Sequence, residues 1–158
     1  TFSLGYGYPL MQAAEKIEAG ASFQEIISYL KGCFDHTHVY FSPFTLKYVK
    51  KSGRVSCAAA FVGELIGLRP VISMNGGPSQ TVAKVRGSGA VTPQMFQQHA
   101  AKHTPYIVLR AKTTQYPQEL AKLMEDTVGY PPVGIFKIGA SITINTGPDI
   151  VGLVFLGK

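Results

Sequence analysis

The chain has 158 residues, 46% of them hydrophobic, which is enough for one domain with its own core. Its longest uncharged apolar runs, Cys57 to Gly63 and Ile150 to Gly157, are far shorter than the roughly 18–20 residues a membrane-spanning helix needs. Fifteen Lys and Arg against nine Asp and Glu give a formal charge of +6, which favours an anionic ligand or acidic partner. The basic residues are scattered, however, with Lys47, Lys50, Lys51 and Arg54 the one tight cluster, so no nucleic-acid partner is expected.

Leu10, Met11, Ala14 and Ile17 recur at helical spacing after Pro9 and stop at Gly20, which predicts a first helix. Ser22 with Glu25 three residues on forms a capping box, and Phe23, Ile26, Ile27 and Leu30 continue as one apolar stripe to about Gly32. His36 to Ser42 reads as a strand closed by Pro43, and Leu46 and Val49 begin a short helix. Ser56 to Ile66 reads as a buried helix ending at Gly67, entered through the polar turn Ser52, Gly53, Arg54.

Arg69 to Met74 and Thr81 to Val85, separated by Asn75, Gly76, Gly77 and Pro78, predict a hairpin. Thr92 and Pro93 start another helix, Tyr106 to Ala111 is strand-like, and Tyr116 and Pro117 open a helix through Met124. Two apolar runs, Val133 to Ile138 and Ile150 to Leu156, flank a polar turn formed by Thr143, Ile144, Asn145, Thr146, Gly147, Pro148 and Asp149. Alternating helices and strands indicate an α/β or α+β domain with one mixed sheet.

No nucleophile elbow or Walker loop is present, which argues against a hydrolase or nucleotide enzyme. His36 and His38, with Asp35 beside them, would share one face of a strand, and His99 and His103 are four apart on a helix. Neither pair completes a metal motif, so no metal or other cofactor is expected. Cys33 and Cys57 follow no metal or disulfide spacing and read as buried thiols, in keeping with a reducing cytoplasm. Arg54, at a glycine turn before an apolar helix, is suited to holding a carboxylate in a bidentate fork. Lys84 and Arg86 alternate on one face of the second hairpin strand, before Gly87, Ser88 and Gly89. With Arg54 they could clamp a phosphorylated metabolite, which would make the chain a small-molecule enzyme or binder.

Four stretches in order, SLGYGYPLMQAAEKIEAGASFQEI, LKYVKKSGRVSCAAAFVGELIGLRPVISMNGG, AKVRG and ITINTGPDIVGLVF, resemble the C-terminal part of the bacterial DegV family of fatty-acid-binding proteins. The resemblance implies a C-terminal, tail-binding domain over residues 1–158, separated from an N-terminal domain that this chain lacks. It further implies a cytoplasmic carrier that is not itself an enzyme. Such a carrier holds a long-chain fatty acid and presents its carboxylate to a separate fatty-acid kinase subunit.

On that resemblance Arg54, Asn145, Thr146 and Gly147 belong to the carboxylate region, and Lys84 and Arg86 to a kinase-docking surface. Asn145 stands where the family usually has histidine, and Asp149 where it usually has glycine. Asparagine donates a neutral hydrogen bond but supplies no imidazolium charge. Asp149 is expected to face solvent or pair with a lysine, since it would oppose a bound carboxylate. Phe61, Leu65, Ile66, Ile72, Phe136 and Ile138 are candidates for an acyl-tail pocket, where each buried methylene contributes roughly 0.8 kcal/mol.

Overall fold

The computed structural model describes residues 3–53, 67–74, 78–86, 103–112 and 115–157. The expected helices over Ser56–Ile66 and from Thr92 lie outside them, as do Arg54, Cys57, His99 and the tail-pocket candidates Phe61, Leu65 and Ile66.

Helix α1, Leu4–Glu18, begins a turn and a half before the expected start and carries Pro9 inside it. The first turn is anchored where the Tyr6 and Gly7 amides donate to Ser3 O at 3.3 and 3.1 Å. At its other end Gly20, with φ +90°, lets the Ala21 and Gly20 amides donate to Lys16 O and Ile17 O at 2.9 Å, a Schellman closure. Helix α2, Phe23–His36, opens on the expected capping box: Ser22 N donates to Glu25 Oε2 at 2.7 Å, and Glu25 N to Ser22 Oγ at 3.4 Å. It runs past Gly32 to His36, because the buried Cys33 anchors its last turn. His36 is therefore helical, its Nδ1 2.9 Å from Gly32 O, and does not share a strand face with His38. No cluster of three metal-ligating side chains occurs among the described residues.

Strand β1 is His38–Pro43, followed by the short helix α3, Lys47–Lys51, and the expected hairpin of β2, Leu68–Ser73, and β3, Gln80–Arg86. Next come β4, Tyr106–Arg110, helix α4, Gln115–Val128, and β5, Gly134–Lys137. Helix α5, Ala140–Thr146, and β6, Ile150–Phe155, complete the described chain.

The strands form one mixed sheet in the order β3-β2-β1-β6-β4-β5. Neighbours are antiparallel except β4 and β5, a parallel pair on either side of α4. Central β6 is buried at all its positions, which explains its unbroken apolar run. Alternation along the strands sorts the core into two faces. Tyr40, Val71, Tyr106, Val108, Leu153 and Phe155 meet Leu120, Ala121 and Met124 of α4. On the other face Phe41, Ile72, Leu109, Ile150 and Val154 meet Val49 of α3, with Leu4 and Tyr8 of α1 and Ile142 of α5 packed against them. The sheet is thus a layer between helices, an α/β architecture.

Helix α5 corrects the sequence reading. The polar turn expected from Thr143 is confined to Gly147–Asp149, and the residues before it are helical. β-Branched and amide residues are poor helix formers. Here their side chains return to the backbone: Thr143 Oγ1 donates to Gly139 O at 3.1 Å, Asn145 Nδ2 to Ser141 O at 2.7 Å, and Thr146 Oγ1 to Ile142 O at 3.0 Å.

Candidate functional site

The last turn of α3 and the last turn of α5 meet at one end of the sheet. Ser52 closes α3, and its hydroxyl lies 3.0 Å from Val49 O and 3.5 Å from Asn145 O, bridging the two helices. Gly53 follows with φ +75°, where glycine is at ease, and turns the chain immediately before Arg54.

Gly147 ends α5 with φ 93° and ψ 169°. A Cβ there would lie 2.6 Å from Tyr48 Cδ2, so the Tyr48 ring rests directly on the glycine backbone. The turn is also tied to the sheet, because Phe44 N donates to Asp149 O at 2.8 Å and Lys112 N to Pro148 O at 3.0 Å. Asn145 is half-buried, and one amide hydrogen is committed to Ser141 O, leaving a second hydrogen and the Oδ1 acceptor for other contacts. Thr146 is buried with its hydroxyl turned back to Ile142 O. Asp149 is half-buried.

Asn145, Thr146 and Gly147 are thus gathered beside the turn that leads to Arg54. Beneath α5 lies a void of about 10 Å³ lined by Phe41, Leu109, Ile138, Ile142, Ile150 and Gly152. Ile138 and Ile72, both expected at an apolar pocket, are buried on this face of the sheet. Phe136 stands apart from them on β5, an outer strand among the described residues, 38% exposed, with its ring over Gly134. Sequence reasoning did not single out Phe41, Leu109, Ile142, Ile150 or Gly152. A glycine within the apolar β6 run was the available signal, since strand glycines often mark close approach of another backbone. A Cβ on Gly152 would come within 2.9 Å of Tyr40 O.

Lys84 and Arg86 are exposed on β3, an outer strand among the described residues. The alternation of β3 turns them to the sheet face that carries Ile72, since Ala83 and Val85 belong to the opposite core. The shifted ionisations lie away from this junction. Burial, followed by the charges of Glu125 and Tyr130, pushes the Tyr106 phenol up to about 12, and its hydroxyl donates to Tyr130 O at 3.0 Å. The Ser22 hydrogen bonds hold the Glu25 carboxyl below its usual value.

The family model described as an uncharacterised protein of the DegV family matches residues 1–158. The chain belongs to the DegV family. A DegV domain-containing protein of Clostridium perfringens is 30% identical over 158 residues, covering 93% of this chain and 56% of that protein. The present DegV-family chain therefore spans little more than half the length of the curated relatives it matches.

Among solved structures, a DegV family protein from Thermus thermophilus described as binding fatty acid superimposes with a TM-score of 0.84 at 26% identity, covering 99% of this chain and 58% of that one. A stearic acid-binding protein from Eubacterium ventriosum has the same fold, with a TM-score of 0.82 at 21% identity, covering 99% of this chain and 56% of that one. No helix among the described residues is long and apolar enough to cross a membrane.

Proposed function

We propose that this chain is the tail-binding, C-terminal domain of a protein that holds a long-chain fatty acid and presents its carboxylate to a separate fatty-acid kinase subunit. The reading is supported chiefly by the α3–α5 junction, where a polar lip of Ser52, Asn145 and Gly147 sits beside an apolar sheet face. Family membership and the fatty-acid-binding relative from Thermus thermophilus add to it.

In this reading the carboxylate lies at the lip, held by Arg54 through a bidentate fork, with Asn145 donating its remaining amide hydrogen. Thr146 and Gly147 shape the lip; Gly147 keeps the backbone close to Tyr48 and leaves no side chain over the head group. The tail follows the apolar face beneath α5. The void there among the described residues, of about 10 Å³, is of the order of a single water-sized probe. Because Asn145 supplies no charge, Arg54 carries the electrostatic part of recognition, and tail burial at roughly 0.8 kcal/mol per methylene dominates affinity.

Arg86, with Lys84, supplies an exposed basic surface for the kinase subunit, and the carrier performs no phosphoryl transfer itself. Arg86→Glu is expected to leave fatty-acid affinity unchanged and to abolish acyl-phosphate formation with the kinase present. Loss of acid binding by that variant would place Arg86 in the acyl site instead.

A further inference from the structure

On the sheet face packed against α4, the end where β1 stops and β2 begins carries two buried polar groups with no hydrogen-bond partner among the described residues. The Arg69 guanidinium lies 3.9 Å from the centroid of the Phe44 ring and 5.9 Å from that of Tyr116. Those two rings meet edge to face at 4.8 Å. Arg69 Nη1 is buried and has no hydrogen-bond partner among the described residues. The same is true of Ser42 Oγ, on a residue that is 0% exposed.

Strand alternation places these groups on one face. Tyr40 and Val71 both belong to the core that α4 covers, and Ser42 and Arg69 lie two residues from them along β1 and β2.

An aromatic ring attracts the face of a guanidinium, but it offers no acceptor to the N–H groups that project in the guanidinium plane. Arginine does not deprotonate, so a buried Nη1 with no acceptor among the described residues keeps both its charge and its unmet donor. Native proteins seldom leave such groups unmatched. The missing partner is an acceptor, and the fixed positive charge selects an anionic one. Ser42 can donate to the same kind of oxygen or accept from a protonated one.

We propose that Arg69 and Ser42 form a binding site for a compact oxyanion, phosphate or a short carboxylate, on the α4 face of the sheet. The site lies on the sheet face opposite the one on which α3 and α5 pack, and the Phe44 amide, which donates to Asp149 O, is its link to the turn after α5. Phe44 and Tyr116 hold the guanidinium and exclude water, while Nη1 and Ser42 Oγ supply the polar contacts.

Thermal unfolding of the protein in sodium phosphate, sodium acetate and sodium chloride at matched ionic strength tests this. Phosphate or acetate should raise Tm saturably above the chloride value, and the more effective of the two identifies the oxyanion. Arg69→Met, which keeps an apolar stem between the rings, should abolish the increment. Ser42→Ala should weaken it while leaving the chloride Tm unchanged or higher, because an unsatisfied hydroxyl is removed. Should Arg69→Met fail to fold, Arg69→Lys retains the charge, loses the planar fork and should weaken apparent affinity several-fold. Ser52→Ala should keep the full increment. No saturable increment from either anion, an equal increment in Arg69→Met, or displacement of the bound anion by a long-chain fatty acid would each overturn an independent site.

Discussion

Replacing Gly147 by alanine probes the contact on which the α3–α5 junction is built. At φ 93° and ψ 169° the residue occupies backbone space that is essentially reserved for glycine, and a side chain there costs about 1–3 kcal/mol. The new methyl would also meet Tyr48 Cδ2 at 2.6 Å and Cε2 at 3.1 Å, and overpacking of that kind costs about 1–3 kcal/mol. Together the two effects predict roughly 2–6 kcal/mol of destabilisation, a large share of the roughly 5–15 kcal/mol typical of a folded domain. Urea unfolding of the wild type, Gly147→Ala, Tyr48→Ala and the double variant separates them. Removing the ring relieves the overpacking but not the backbone strain, so the double variant should be about 1–3 kcal/mol more stable than additivity requires. A Gly147→Ala cost below about 0.5 kcal/mol, the range of ordinary surface substitutions, would refute the strain argument. Strict additivity would remove Tyr48 from it.

The pH dependence of stability follows from two groups of opposite sense. Tyr106 ionises at about 12 in the folded protein against 10.0 for the free phenol, so its contribution is complete below pH 10 and is lost as pH rises towards 12. Alkaline unfolding monitored by Tm should therefore be less steep in Tyr106→Phe. Glu25 ionises below its ordinary value of 4.5, so the capping box contributes above that pH and is lost as pH falls through the lower folded value. Ser22→Ala should lower Tm at neutral pH and show a smaller acid-induced loss than the wild type. At the lip, Asn145→His should strengthen long-chain acid binding at pH values below the imidazole pKa and lose that gain above it, read from displacement of a fluorescent acid at several pH values. A pH-independent affinity in Asn145→His would detach this position from the head group.

Local chemistry made some elements legible. The capping box of α2 and the glycine-closed end of α1 were readable because each signal lies within a few residues of the structure it sets. The β2–β3 hairpin was readable for the same reason. Helix α5 was not, because Thr143, Ile144, Asn145 and Thr146 have weak helix propensity and their compensating bonds to backbone carbonyls appear only once the turn has formed. Pro9 concealed the start of α1, because a proline reads as a boundary before a helix that starts at Leu10, whereas here it lies inside the helix. The sheet order joins β1 to β6 and β6 to β4 across long stretches of chain, and no local pattern encodes that pairing.

The grouping of Asn145, Thr146 and Gly147 with the Ser52–Gly53 segment that precedes Arg54 came from likeness to a family. The Ser52 bridge and the Tyr48 ring that join these segments have no sequence signature of their own. The stack of Arg69 on Phe44 and Tyr116 was equally invisible, since it depends on three elements meeting at one sheet end.

Native mass spectrometry of the full-length protein purified from cells, with the released ligand identified, tests fatty-acid binding most directly. One bound molecule with the mass of a long-chain fatty acid is expected, retained in the wild type and markedly reduced in Arg54→Met. A ligand-free protein that also fails to take up added long-chain acids would contradict it.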